Sequence, residues 1–192
     1  FCVLVARTHE APVIAIGATA PLALERLIAR EGGRLLRSGT DVPSLMAASL
    51  LSGATFAGDE RGGFAFPEFH PGFDAAFGLA RLIRMLEHSG CTLSELRREV
   101  PPFYTSSTQV HCPWEAKGMV MREIAAEASE PYQVESGEGI RIAIDDASWV
   151  LVLPDALEPH FHVFSESENI ERAEALARDY GAKIEQLCGS GR

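Results

Sequence analysis

Pro101-Pro102 sits near the middle of a 192-residue chain and separates two hydropathy rhythms. Two consecutive prolines remove two backbone donors and fix two φ angles, so neither a helix nor a central strand runs through them. A boundary there leaves segments 1–100 and 101–192, each the size of one small domain. In the first segment, short apolar runs alternate with helix signals. Residues 12–16 (PVIAI) read as a buried strand. Thr19 offers a helix-capping oxygen, with Pro21 in the first turn and Gly32-Gly33 at the end. Residues 34–37 form a second strand, and Thr40 and Asp41 precede a helix from Pro43 to about Leu51. Strands at 54–57 and 63–66 flank a polar loop, Gly58 to Gly63. Asp74 caps a helix to about His88, with Phe77, Ala80, Leu82, Ile83 and Leu86 on its apolar side. The opening FCVLVAR is too short and too uniformly apolar to assign to strand or helix. This alternation predicts an α/β layer with partly parallel pairing.

After the prolines the order changes. Residues 103–112 read as extended and Trp114–Ser129 as helical. Three strand-like runs follow at 139–144, 148–153 and 159–164, with Asp145-Asp146 as a turn between the first two. A last helix spans about Glu168 to Tyr180, closed by Gly181, and the tail Gly189–Arg192 is expected to fray. The expected arrangement is an antiparallel sheet covered by two helices, α+β in class.

Composition narrows the function. With 17 Lys+Arg against 27 Asp+Glu the net charge is −10, which argues against nucleic acid, a partner that requires a clustered basic face. It also disfavours an anionic membrane, and no apolar run approaches the roughly 20 residues of a membrane span. Cys2, Cys91, Cys112 and Cys188 show no CxxC spacing, so neither zinc ribbon nor redox motif is legible and reduced, cytoplasmic thiols are expected. His160 and His162 alternate on one strand face, but no nearby Cys, Asp or Glu completes a metal set. His111-Cys112 lacks a general base for a nucleophilic thiol. Trp114 and Trp149 are expected in the core, and Glu95, Arg97, Arg98 and Glu99 on a solvated helix face.

Three features together resemble the α-D-phosphohexomutases, the phosphomannomutase/phosphoglucomutase superfamily. The stretch Gly58-Asp59-Glu60-Arg61-Gly62-Gly63, followed by a strand and an Asp74-capped helix, is similar to the sugar loop of that family's third domain, a Gly-Glu-x-Ser-Gly pattern. Leu153-Pro154-Asp155-Ala156-Leu157-Glu158-Pro159 lies where the fourth domain has its phosphate loop, Arg-x-Ser-x-Thr-Glu-Pro. The order of elements also agrees. The resemblance implies an α/β mixed-sheet domain III (1–100) followed by an α+β, TATA-binding-protein-like domain IV (101–192). The variant with Phe66-Pro67-Glu68-Phe69-His70-Pro71 and His111-Cys112-Pro113-Trp114 looks like mutase modules fused behind a nucleotidyltransferase such as mannose-1-phosphate guanylyltransferase.

In the family, four domains surround one cleft: a phosphoserine, an aspartate-rich magnesium site, a sugar reader and a phosphate grip. Counterparts of the first two are not seen. The resemblance therefore implies a C-terminal portion, inactive alone, with no catalytic or metal-binding residue of its own, magnesium in the full-length parent, and the parent's N-terminal domains as partners. A hexose phosphate is the implied ligand and homo-oligomerisation a further possibility. Asp59, Glu60, Arg61, Gly62 and Gly63 are the implied substrate-binding set. Asp59 keeps the charge of the family's Glu with one methylene less, while Arg61 replaces Ser and offers only donors, for phosphate or for Asp59. The phosphate loop is degenerate: Leu153, Asp155 and Leu157 stand where Arg, Ser and Thr would donate, and only Glu158-Pro159 remains. A carboxylate about 4 Å from a phosphate costs on the order of 1 kcal/mol in water and more at lower dielectric, so phosphate is not expected there. A non-catalytic regulatory or oligomerisation module of a nucleotidyltransferase fusion is the alternative. A purely structural fragment would show apolar exposure near residues 1–7 or 64–73.

Overall fold

A computed structural model describes residues 1–129, 132–136 and 138–190. The chain divides into two units, Phe1–Pro101 and Pro102–Arg192.

The first unit is built on strands β1 (Val13–Ile16), β2 (Arg34–Arg37), β3 (Phe56–Gly58) and β4 (Phe64–Ala65), ordered β2-β1-β3-β4. β1 runs parallel to β2 and β3, and β4 closes the edge antiparallel. Alternation along the strands sorts the two faces by size. Ile14, Ile16, Phe56 and Phe66 bury against helices α1 (Cys2–Thr8), α2 (Ala23–Arg30), α4 (Ala75–Ser89) and α5 (Leu93–Glu99). On the other face Ala15, Ala57 and Ala65 are small, and helix α3 (Val42–Leu51) packs there through Leu45 and Met46.

FCVLVAR is α1, with Val3, Leu4, Val5 and Ala6 all buried. Burial on every side erases the polar stripe that would have marked a helix in the sequence. Residues 1–7 therefore show no apolar patch. In 64–73 Phe69 is the one large hydrophobic residue that is exposed, and its ring stacks on Phe77 at 4.1 Å.

Asp41 and Asp74 cap α3 and α4 by accepting the N–H of Ser44 and Phe77. Thr19 does not cap α2: that helix starts later, with Leu22, which has no capping side chain, at its N-cap, and the buried Thr19 hydroxyl meets no hydrogen-bond partner among the described residues. On α4, Ile83 and Ala80 face outward, and Met85 takes the buried place instead. The face expected to be solvated at 95–99 is partly engaged. Glu95 closes a capping box with Thr92, and Glu99 shares the Arg7 guanidinium with Glu31.

The second unit is one antiparallel sheet, ordered β5-β9-β8-β7-β6, from β5 (Tyr104–His111), β6 (Gln133–Ser136), β7 (Ile140–Asp145), β8 (Ser148–Pro154) and β9 (His160–Ser167). Helices α6 (Trp114–Ser129) and α7 (Ile170–Ser190) bury Val120, Ile124, Ala128 and Ile184 against Val110, Ile142, Val150, Val152, Phe161 and Val163. β6 carried no strand signal in the sequence. α7 does not stop at Gly181. A Cβ there would meet Thr108 and Val110 at 3.2 and 3.3 Å, so this glycine is a close contact of helix on strand rather than a stop. Of the tail expected to fray, Gly189 and Ser190 are helical, and Gly191 and Arg192 lie outside the described residues. Trp149 is in the core as expected, but Trp114 is 49% exposed and carries the Lys117 ammonium 3.9 Å above its ring.

Candidate functional site

Parallel strands deliver their following loops to one edge of a sheet, where ligands of α/β folds usually bind. In the first unit that edge holds the loops after β1, β2 and β3. A Cβ on Gly17 would lie 3.5 Å from a Glu60 carboxylate oxygen and 3.9 Å from the Gly39 carbonyl, so the three loops meet there. Arg37, the last residue of β2, is already engaged. It donates to the carbonyls of Ala18 and Ala20 and pairs with Glu25, bracing the β1–α2 loop.

The 59–63 loop owes its shape to three residues. Asp59 Oδ1 accepts the N–H of Arg61 at 3.1 Å and of Gly63 at 2.6 Å, and the Gly63 carbonyl accepts the Asp59 N–H. Gly62 takes φ +88°, a conformation that side chains resist. Gly63 leaves room for the Phe73 ring, whose Cε2 would be 2.1 Å from a Cβ. Gly62 and Gly63 thus serve the turn and its packing. Asp59 Oδ2, the Glu60 carboxylate and the Arg61 guanidinium make no hydrogen bond or ion pair among the described residues, and Glu60 and Arg61 are exposed. Arg61 does not pair with Asp59.

In the second unit, the loop between β8 and β9 folds around its own carboxylate. Asp155 Oδ1 accepts the N–H of Leu157 at 2.7 Å and of Glu158 at 2.9 Å, and Oδ2 meets His162 Nε2 at 2.8 Å. The His162 bond, then the two backbone N–H groups, hold this carboxyl well below the usual range. Lys117 Nζ donates to the carbonyls of Asp155 at 2.6 Å and Glu158 at 2.5 Å from beneath. Leu157 is 88% exposed, and Leu153 offers no donor. Two backbone N–H donors of this loop are therefore taken by an internal anion. The His162–Asp155 contact gives one member of the histidine pair an acidic partner seven residues away. His160 lies 3.5 Å from Glu158, with its ring edge-on to His111 at 5.3 Å. Among the described residues no three His, Cys, Asp or Glu side chains are placed to hold a metal ion. Nothing in the sequence pattern flagged Lys117, because its value lies in reaching two carbonyls 38 and 41 residues away.

A mixed sheet between two helical layers, followed along the chain by a five-stranded antiparallel sheet packed with two helices, is the domain order that the phosphohexomutase resemblance implies. Residues 4–104 match the phosphoglucomutase/phosphomannomutase alpha/beta/alpha domain III, and the chain belongs to that family. It is 31% identical over 176 residues to a probable phosphoglucosamine mutase of Methanopyrus kandleri, covering 91% of this chain and 38% of that protein. It is 30% identical over 181 residues to a phosphopentomutase of Thermococcus kodakarensis, covering 92% and 39%. A phosphoglucomutase/phosphomannomutase family structure from Burkholderia thailandensis superposes with a TM-score of 0.77 at 19% identity, over 97% of this chain and 40% of that one. The chain thus spans about two fifths of these relatives.

Proposed function

We propose that this chain is the sugar-recognition portion of a phosphosugar mutase-type protein and is inactive alone. The observation that carries the reading is the meeting of three loops at the carboxyl edge of β1, β2 and β3, with Glu60 over Gly17. A sugar diol needs acceptors held at fixed spacing. Asp59 Oδ2 and Glu60 supply them, and the Asp59 Oδ1 bonds to the loop backbone hold the pair in place. Arg61 faces solvent as a donor-only group suited to a phosphate oxygen. Intramolecular phosphoryl transfer belongs to the full-length parent, in the cytoplasm. Its N-terminal domains would supply the phosphoserine and the magnesium site. Among the described residues no three His, Cys, Asp or Glu side chains are placed to hold that ion. Hexose phosphates are the substrate class, although one relative is named for a pentose.

Calorimetry tests this. Glucose, mannose and glucosamine 1- and 6-phosphates and ribose phosphates are titrated into the chain and into Glu60→Ala and Arg61→Ala. Binding that falls about tenfold or more in each variant supports the reading. Equal affinity for wild type and both variants removes the loop from recognition.

The alternative, a non-catalytic module that regulates a fused nucleotidyltransferase or holds oligomers together, is favoured by the self-closed loop at 153–159. A concentration-independent dimer by light scattering, together with silence toward every sugar phosphate, would select it.

A further inference from the structure

We propose that Cys112 and Cys188 form a reversible disulfide that locks the C-terminal helix to the edge strand of the second unit. The two cysteines are 76 residues apart and share no motif. The fold nevertheless brings Cys112, just past the end of β5, against Cys188, in the last turns of α7, with their Sγ atoms 2.9 Å apart. Closing to the about 2.05 Å of an S–S bond needs movement on the order of 1 Å. Both thiols border the same apolar cluster. Cys112 is fully buried, while Cys188 is only partly so and is the thiol that solvent reaches. The other two cysteines have different surroundings. Cys91 donates to the Ser89 carbonyl at 3.6 Å and lies 4.0 Å from Arg7 Nη1, and Cys2 sits on α1 with Val3 and Leu4. Among the described residues no third metal-ligating side chain joins Cys112 and Cys188, so the pair points to redox chemistry rather than zinc.

The oxidant is a small-molecule disulfide. The Cys188 thiolate attacks one sulfur of oxidised glutathione, breaking its S–S bond and expelling one glutathione thiolate. Cys112 then gives up its proton and attacks Cys188 Sγ, breaking the mixed disulfide and expelling the second glutathione. Two protein thiols are oxidised to one disulfide, and one small disulfide is reduced to two thiols. The product closes a long loop and ties α7 to β5, the first strand in the order of the second sheet. In a reducing compartment the bond is transient, and it reports a rise in the disulfide pool.

The 192-residue chain is incubated with oxidised glutathione, alkylated and digested without reduction. Trypsin cuts after Arg98, Lys117 and Lys183, so the two cysteines fall in separate peptides. The expected result is a linked pair of those peptides, lighter than their sum by two hydrogens and separated by dithiothreitol. A melting temperature several degrees above the reduced chain should accompany it. The doubly substituted Cys2→Ser/Cys91→Ser chain should give the same link, and Cys188→Ser should give none. Glutathione retained on Cys188 with Cys112 unlinked in the Cys2→Ser/Cys91→Ser chain would overturn the proposal. So would an internal link that uses Cys2 or Cys91.

Discussion

Asp155 and His162 are seven residues apart, and their side chains meet at 2.8 Å across the mouth of the loop they bound. The same carboxylate gathers two backbone N–H groups through its other oxygen. The loop between β8 and β9 is thus closed by its own anion, with Lys117 holding two of its carbonyls from below.

Asp155→Ala should therefore lower the melting temperature at neutral pH, with a pH signature. The folded-state pKa of Asp155 is depressed, so its contribution is present above the about 3.9 of an unfolded Asp and is lost as pH falls through the folded value. Melts of wild type and variant should differ at neutral pH and converge in strong acid. A gap that widens with acid would contradict this sign.

Gly63→Ala should destabilise the first unit by about 1–3 kcal/mol, because the new methyl would press on the Phe73 ring. Phe73→Leu in the same chain should recover part of the loss. Urea unfolding of the single and double variants measures both, and full additivity would mean that the ring is not the obstacle.

Arg7 bridges Glu31 and Glu99 and is 21% exposed. Hydrogen bonds from these carboxylates, Glu99 first, raise its pKa above the ordinary Arg value. Arg7→Met should cost on the order of 1 kcal/mol after discounting for solvent, and less in high salt. Unfolding at low and high ionic strength checks it. An effect that grows with salt would point to packing instead.

Ile184 lies three residues beyond the glycine expected to end the last helix and is fully buried. Ile184→Ala should cost about 2–5 kcal/mol in urea unfolding. A change near zero would mean that α7 ends at Gly181.

Much of the architecture was legible because the signals were local. Asp41 and Asp74 precede apolar periodic runs, and both cap helices. The three strand-like runs at 139–144, 148–153 and 159–164 marked β7, β8 and β9, whose core face is apolar. The misses share one cause, which is that the deciding contact was distant. Thr19 looks like a cap, yet α2 begins at Ala23. Gly181 looks like a stop, yet β5 needs its missing side chain. Trp114 looks like core, yet it lies out under Lys117.

The candidate sites divide the same way. Residue types at 59–63 and 153–159 carried the family resemblance, because chemistry is written in side chains. Three outcomes needed tertiary structure: Asp59 spending one oxygen on its own turn, Asp155 filling its own loop, and Cys112 reaching Cys188. Each depends on a distance set by chain reversal or by packing between elements far apart in sequence. Hydrophobic periodicity fixes which face a residue takes, and only the assembled sheet and helices fix what that face meets.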